Sequence, residues 1–186
     1  MLGVATVNAP QRPGLTVVIV GAECSGKTTL AEQLARQLGV PWVAEFARSY
    51  LGERAGYQAT DVQAIAQGQH RAELTAAANC PLLIADTDLV VIKVWWNVRF
   101  GGENPWVEAT LHGVLGSERR RCYLLTTPDI PWIADPLREN PTDRPALHER
   151  YRALLDSLGV PYVEVSGSAL ERLDRAAAAV RGWLSR

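Results

Sequence analysis

The segment 15–28 constrains the possible folds of this chain more than any other part of its sequence. It reads LTVVIV followed by GAECSGKT, an uninterrupted apolar run and then a complete GxxxxGK[ST] pattern. A strand that is apolar on both faces is typical of a parallel sheet covered by helices. Glycines let successive backbone N–H groups of the loop face one anion, and a following helix adds its positive end. The segment therefore predicts a strand, a phosphate-binding loop (P-loop) and a helix.

The side chains of this loop predict a site for ATP and Mg²⁺. Lys27 would reach the β- and γ-phosphates, and the Thr28 hydroxyl would ligate the metal. The other residues expected to contact the nucleotide are Gly21, Glu23, Cys24, Ser25, Gly26 and Thr29. The sequence holds no NKxD-type guanine-reading motif, so we expect ATP and not GTP. A P-loop alone does not distinguish a kinase from an ATPase.

Strand and helix patterns alternate along the rest of the chain. The predicted strands are 15–20, 40–44, 81–85, 121–126 and 160–165, and the predicted helices are 28–38, 46–54, 60–78, 89–97, 106–115, 144–158 and 169–184. We expect Asp61 to cap the third helix. Such alternation predicts a three-layer α/β/α P-loop NTPase fold of the nucleoside-kinase type, with a mostly parallel five-stranded sheet. Residues 1–14 would be a flexible lead-in, and 15–186 a single kinase domain.

Composition excludes several classes of protein. The 186 residues carry a net charge of −1, so a basic surface for nucleic acid or an acidic membrane is not expected. No apolar run approaches the roughly 20 residues of a membrane span, and the N-terminus does not resemble a secretory signal. We therefore expect a soluble cytoplasmic protein. The basic run 119–121 is interpreted as a solvated turn, and no pattern indicates an oligomeric state.

Three acidic residues fall where predicted strands end. Ligands of open α/β sheets bind beyond the carboxyl ends of the strands. Asp86 ends the run PLLIAD, a pattern in which the carboxylate holds Mg²⁺, although an aspartate here could instead cap a helix. Glu45 and Asp88 are both candidates for the catalytic carboxylate that orients an acceptor hydroxyl and takes its proton. For either residue, a solvated charge is the alternative.

Two further groups of residues could complete a kinase site. Arg48 stands one helical turn after Glu45, where it could pair with that carboxylate or point at the substrate. The proline-rich, charged stretch 130–144 suggests a lid whose arginines, Arg138 and Arg144, neutralise the transferring phosphoryl group and exclude water. An ordinary exposed loop is the alternative for this stretch.

Six runs, taken in order, resemble the ribosylnicotinamide kinase domain of the bacterial NadR proteins over roughly 15–179. They are GAECSGKTTL, WVAEFARSYL, AIAQGQHRAE, LLIADTDLVV, WIADPLREN and GVPYVEV. The resemblance implies phosphorylation of the 5′-hydroxyl of nicotinamide riboside to nicotinamide mononucleotide. It implies that Glu45 or Asp88 engages the ribose, that Asp86 holds magnesium and that Arg138 contacts the phosphates. The adenylyltransferase and DNA-binding domains of NadR proteins do not fit in 186 residues, so we expect neither activity.

A cationic nicotinamide ring would favour stacking on aromatic side chains. Tyr50 and Trp96 are our candidates for this contact, with Trp95 and Trp106 nearby and core packing as the alternative for each. Trp95 and Trp96 are adjacent, so at most one of them should face the substrate. By the same resemblance, Gln69 or Arg71 would line the acceptor site.

Two other functions remain open at this point. One is a kinase of another nucleoside or small alcohol, and the other is a regulatory P-loop ATPase whose ATP binding changes a partner contact. A kinase needs an acceptor pocket beside the γ-phosphate, whereas a switch protein needs an exposed apolar patch for its partner. The predicted lid and Glu45 favour a kinase.

Overall fold

A sheet of five parallel strands organises the chain. The computed structural model describes residues 14–52, 54, 56–134 and 142–186. The strands are β1 (Leu15–Gly21), β2 (Trp42–Val43), β3 (Leu82–Asp86), β4 (Arg120–Thr126) and β5 (Tyr162–Val165). Their order is β2-β3-β1-β4-β5, and every neighbouring pair is parallel. The P-loop therefore leaves the central strand, at the edge where the other strands also end.

Helices cover both faces of this sheet. Those of the described residues are α1 (Lys27–Leu38), α2 (Phe46–Leu51), α3 (Ala59–Ala77), α4 (Leu89–Phe100), α5 (Pro105–Leu115), α6 (Arg144–Leu158) and α7 (Ala169–Leu184). Alternate residues of a strand point to opposite faces. Val17 and Ile19 accordingly pack with α1 and α7, whereas Val18 and Val20 pack with the helices α2 to α6. The predicted three-layer fold is confirmed. None of the described helices is long and apolar enough to span a bilayer.

Three local predictions differ from the structure. Strand β2 has two residues instead of five, because only Trp42 and Val43 pair with β3. Helix α2 stops at Leu51, where Gly52 takes a φ of 53° and ends the helical path. The N-cap of α3 is Gln58 and not Asp61. Asp61 stands three residues later and accepts a hydrogen bond from the Gln58 N–H at 2.8 Å, as in a capping box.

The basic run 119–121 leads into β4 and is not a solvated turn, so that prediction is wrong. Arg119 donates from Nε to the Thr16 hydroxyl at 2.7 Å, and from its Nη atoms to the carbonyls of Cys80 at 3.0 Å and Leu15 at 3.1 Å. It therefore joins the starts of β1 and β4 to the end of α3. Its charge suggested that this run is exposed. The five N–H groups of an arginine can, however, all donate to buried oxygen atoms of the protein.

Arg121 anchors a buried polar cluster between α3, α4 and β4. Its guanidinium lies 2.6 Å from Glu73 and 3.1 Å from Asp88, and all three side chains are nearly inaccessible. Asp88 also accepts from the Tyr123 hydroxyl at 3.0 Å and, as N-cap of α4, from the Val90 N–H at 2.8 Å. Burial raises the pKa of Glu73 to about 7 and raises that of Asp88, against the Arg121 charge, which lowers both.

Replacing Arg121 should therefore destabilise the fold strongly. Arg121→Met leaves Glu73 and Asp88 buried without their counter-charge, and the free energy of unfolding should fall by about 3–5 kcal/mol in urea titrations. Arg120→Met is the matched control, since it removes one hydrogen bond to the Trp183 carbonyl and should cost about 1 kcal/mol. Equal losses for the two variants would contradict a special role for the Arg121 cluster.

Candidate active site

A cavity of about 500 Å³ opens beside the P-loop at the carboxyl edge of the sheet. Its walls are formed by Gly21, Ala22, Glu23, Cys24 and Lys27 of the P-loop, by Glu45, Ala47, Arg48 and Leu51 at α2, by Tyr57, by Val91, Val94, Trp95, Val98 and Arg99 of α4, and by Leu147 and Tyr151 of α6. One end is thus built for anions, and the other is apolar and aromatic. The volume is within the range of ordinary small-molecule sites.

Contacts behind the P-loop hold it in shape. Gly21 has a φ of 142°, and a Cβ there would lie 2.3 Å from Oγ1 of Thr126, so only glycine fits. The Ser25 hydroxyl lies 2.7 Å from the Ala22 carbonyl and 2.6 Å from the Thr126 hydroxyl. Ser25 is buried and is not part of the cavity wall. The Ser25 side chain therefore braces the loop. The predicted contact of Ser25 with the nucleotide would then be made by its backbone N–H and stays a prediction.

The other predicted P-loop residues divide between the wall and its surroundings. Lys27 begins α1 after Gly26, and its Nζ donates to the carbonyls of Gly21 at 3.2 Å and Ala22 at 2.9 Å, so the ammonium lies inside the loop. Glu23 belongs to the wall, whereas Thr29 is exposed outside it.

Arg172 supports the P-loop from α7, and sequence reasoning missed it. The buried guanidinium donates to the carbonyls of Ser25 at 2.9 Å, Gly167 at 2.8 Å and Thr127 at 3.1 Å, and it pairs with Asp129. It thereby joins three segments that follow β1, β4 and β5. Burial lowers the pKa of Arg172 below its ordinary value. Nothing in the sequence sets this arginine apart from the many others of the chain.

The predicted lid is described only in part. Arg144, the first residue of α6, donates to the carbonyls of Cys24 at 3.3 Å and Ile130 at 2.9 Å. The Cys24 thiol in turn lies 3.4 Å from the Pro131 carbonyl. These contacts connect the P-loop with the start of the predicted lid, but they place Arg144 on backbone carbonyls and not in the cavity wall. Arg138 lies outside the described residues.

Thr28 and Asp86 lie together beside the P-loop. The Thr28 hydroxyl donates to Oδ2 of Asp86 at 2.6 Å, while Oδ1 of Asp86 is buried without a hydrogen-bond partner in the described part of the chain. Burial, then the charge of Glu45, raises the pKa of Asp86 to about 6. A hydroxyl and a carboxylate with an unused oxygen form a donor set that suits Mg²⁺, which binds proteins through one or two carboxylates and substrate phosphates.

Glu45 faces the cavity, between β2 and α2. It is the N-cap of α2, yet its carboxylate makes no capping hydrogen bond. Instead, Oε2 lies 3.1 Å from Nε of Arg48, and both residues belong to the cavity wall. The structure thus pairs Arg48 with Glu45, which is one of the two positions expected for Arg48.

Asp88 is a correction to the predicted site. Thr87 has a φ of 72°, and after this turn the Asp88 side chain enters the buried Arg121 cluster. Both of its oxygens are engaged there, and the residue is not part of the cavity wall. Of the two candidates for the catalytic carboxylate, only Glu45 therefore has an accessible position.

The predicted aromatic contacts also need correction. Tyr50 hydrogen-bonds to Asp61 at 3.2 Å, and neither Tyr50 nor Trp96 contributes to the cavity wall. Tyr57 and Trp95 occupy that position instead, with ring centroids 4.9 Å apart in an edge-to-face arrangement and a 2.7 Å hydrogen bond from Trp95 Nε1 to the Tyr57 hydroxyl. Of the adjacent tryptophans, one faces the cavity as expected, but it is Trp95. Tyr57 lies in a loop with no periodic pattern to reveal its direction.

Sheet order, P-loop and acidic strand ends together define a P-loop NTPase fold of the nucleoside-kinase type. A family model described as an AAA domain matches residues 16–172, so the chain belongs to that AAA domain family.

Known proteins similar to this chain include the trifunctional NAD biosynthesis/regulator protein NadR of Salmonella typhimurium, 30% identical over 81% of this chain, and that of Escherichia coli, 29% identical over the same share. The chain spans 38% of the length of these two relatives. A crystal structure of NadR in complex with NR superposes with a TM-score of 0.68 at 19% identity, covering 93% of this chain and 52% of that one. A deoxyadenosine kinase from M. mycoides gives 0.58 at 11% identity, covering 90% and 99%.

The raised pKa of Asp86 predicts pH-dependent metal binding. Mg²⁺ needs the ionised carboxylate, so lowering the pH from about 7.5 to about 5, below the Asp86 pKa of about 6, should weaken Mg²⁺ binding about tenfold through this group. Calorimetric titration with a non-hydrolysable ATP analogue measures this affinity. Asp86→Asn is the control and should bind weakly, with only the pH dependence of the nucleotide itself. The same pH dependence in both proteins would exclude Asp86 as a ligand.

Proposed function

We propose that this chain is a kinase that transfers the γ-phosphoryl group of ATP to the 5′-hydroxyl of nicotinamide riboside, giving nicotinamide mononucleotide. The observation that carries the proposal is one cavity that joins a P-loop to an aromatic end, with a carboxylate between them. Similarity to NadR, and a fold shared with a NadR structure that holds NR, supports this choice of acceptor.

At the donor end, the P-loop N–H groups and Lys27 would bind the β- and γ-phosphates. Thr28 and Asp86 would hold Mg²⁺, which supplies neutralisation of the phosphate charge when bound. Arg172 and Ser25 keep the loop in its binding shape, because they fix its backbone from behind. Little binding energy is then spent on ordering the loop when the nucleotide arrives.

Between the two ends, Glu45 would accept a hydrogen bond from the acceptor hydroxyl and take its proton as the phosphoryl group is transferred. Arg48 pairs with Glu45 at 3.1 Å and would hold the carboxylate in place for this role. Phosphoryl transfer is dominated by positioning and charge, so one placed carboxylate is sufficient protein chemistry at the acceptor.

At the acceptor end, Tyr57 and Trp95 would bind the pyridinium ring. Trp95 would offer its electron-rich face to the cation. Tyr57, whose ring lies 5.7 Å from the Arg99 guanidinium, would orient Trp95 through the hydrogen bond between them. Val91, Val94 and Val98 add an apolar wall that excludes water from the ring. Water exclusion matters for a kinase, because water would otherwise compete with the acceptor for the phosphoryl group.

The segment 130–144 would act as a lid within a single domain spanning 15–186. Arg144 links this segment to Cys24 of the P-loop. Movement of the lid would therefore shift the P-loop and the phosphates that it binds. Arg138 would add positive charge at the transferring group. The second candidate acceptor is another nucleoside, since the fold covers nearly all of a deoxyadenosine kinase.

The proposed function predicts acceptor-dependent turnover. ADP release from MgATP should be strongly stimulated by nicotinamide riboside and little by other nucleosides, and product analysis should give nicotinamide mononucleotide. Lys27→Ala should abolish transfer, and turnover retained in this variant would contradict the P-loop assignment. Stimulation by a different nucleoside would select the second candidate. Slow hydrolysis without stimulation by any nucleoside would favour a regulatory ATPase.

Glu45→Gln tests the proposed base. The amide keeps the shape of the side chain but cannot accept the proton, so kcat should fall about a hundredfold or more while KM for ATP changes little. Steady-state kinetics at saturating acceptor measure the effect. A change confined to the KM of the acceptor would make Glu45 a substrate-binding residue and would remove it from proton transfer.

A further inference from the structure

Gln69 of α3 joins the two segments that carry the proposed active-site carboxylates. Its side chain is fully buried and is not part of the cavity wall. Oε1 accepts a hydrogen bond from the Phe46 N–H at 2.8 Å, and Nε2 donates to the Thr87 carbonyl at 3.1 Å. Phe46 directly follows Glu45, and Thr87 directly follows Asp86. One amide therefore spans the carboxyl ends of β2 and β3.

The first contact replaces an ordinary helix cap. The first N–H groups of a helix have no partner within it, and the N-cap side chain usually accepts from one of the first turn. Glu45 is the N-cap of α2 but makes no such bond. The first N–H of α2 donates instead to Gln69, which belongs to the neighbouring helix α3. The Glu45 carboxylate is consequently left to face Arg48 and the cavity.

The second contact holds a backbone turn that a β-branched residue rarely adopts. Thr87 has a φ of 72°, in the left-handed region, and such a residue persists only when its surroundings fix it. Its N–H donates to the Ile19 carbonyl of β1 at 3.1 Å, and its carbonyl accepts from Gln69. The turn is thus held on both sides immediately after Asp86.

The residue before Gln69 fits the same arrangement. The Phe46 ring lies over Gly68, where an added Cβ would come within 2.2 Å of the ring. The ring of Phe46 therefore contacts Gly68 of α3, and its backbone N–H contacts Gln69, the next residue of that helix. This seating fixes where α2 begins and, with it, the position of Glu45.

We propose that Gln69 is a positioning residue that sets the place of Glu45 relative to Asp86, an inference that rests on the proposed function. It acts through Glu45 and does not touch the substrate. Gln69 bonds to the residue after Glu45 and to the residue after Asp86, so loss of these two bonds would displace the base relative to the proposed metal site.

A double-mutant cycle tests this role. Gln69→Met keeps the length of the side chain and removes both hydrogen bonds, so kcat for nucleoside phosphorylation should fall roughly ten- to hundredfold, as misplaced reacting groups do, with KM for ATP unchanged. In the Glu45→Gln background the same substitution should lower kcat less than about twofold, because the group it positions is already disabled. Gln67→Met, exposed on the same helix, is the matched control and should retain wild-type kcat.

Equal factors in the two backgrounds would show a general structural effect and would overturn the inference, as would an unchanged kcat in Gln69→Met. If Gln69→Met does not fold, Gly68→Ala decides the matter in the same cycle, since it displaces Phe46 and leaves Gln69 intact. A wild-type protein that phosphorylates no nucleoside would instead refute the proposed function before the cycle begins.

Discussion

Attachment of the P-loop to the sheet is the constraint on which the rest of the site depends. A loop that binds phosphate through backbone N–H groups must hold them in place without help from its ligand. Here the loop approaches β4 so closely that Gly21 has no room for a side chain beside Thr126, and Ser25 is bonded to that same threonine. Arg172 holds the other side of the loop. The position and order of the strands therefore determine where the loop would hold phosphates.

Three carboxylates at the strand ends show how surroundings assign different roles to one chemical group. Asp88 is buried beside Arg121 and caps a helix, so its charge serves the fold. Asp86 is equally buried but bonded through one oxygen only, which leaves the other for a cation. Glu45 keeps partial exposure and an arginine partner, which holds it at the cavity. A cluster of like charges is tolerable because each has a different partner.

Periodicity in the sequence predicted the fold well, since strands buried on both faces and helices with one apolar face leave clear patterns. α6 and α7 were predicted to the residue. The directions of the side chains were harder to predict from the sequence. The positive φ of Thr87 turns Asp88 away from the cavity, and no motif marks a threonine for that conformation. Trp95 and Trp96 could be separated only by the packing of α4. Arg121 was misjudged because its partners, Glu73 and Asp88, are distant in sequence.

The proposed donor and acceptor ends differ in how they are supported, since the donor end is a backbone loop whereas Trp95 of the acceptor end stands on a helix. Phosphates are alike in every nucleotide, so a backbone loop suffices to bind them. An acceptor ring must be recognised by side chains, and these need rigid supports to hold their rotamers. Trp95 is carried by α4, whose start is fixed by Asp88 and through it by Arg121. The buried ion cluster would therefore contribute to the proposed acceptor site without lining the cavity, because it holds the helix that does.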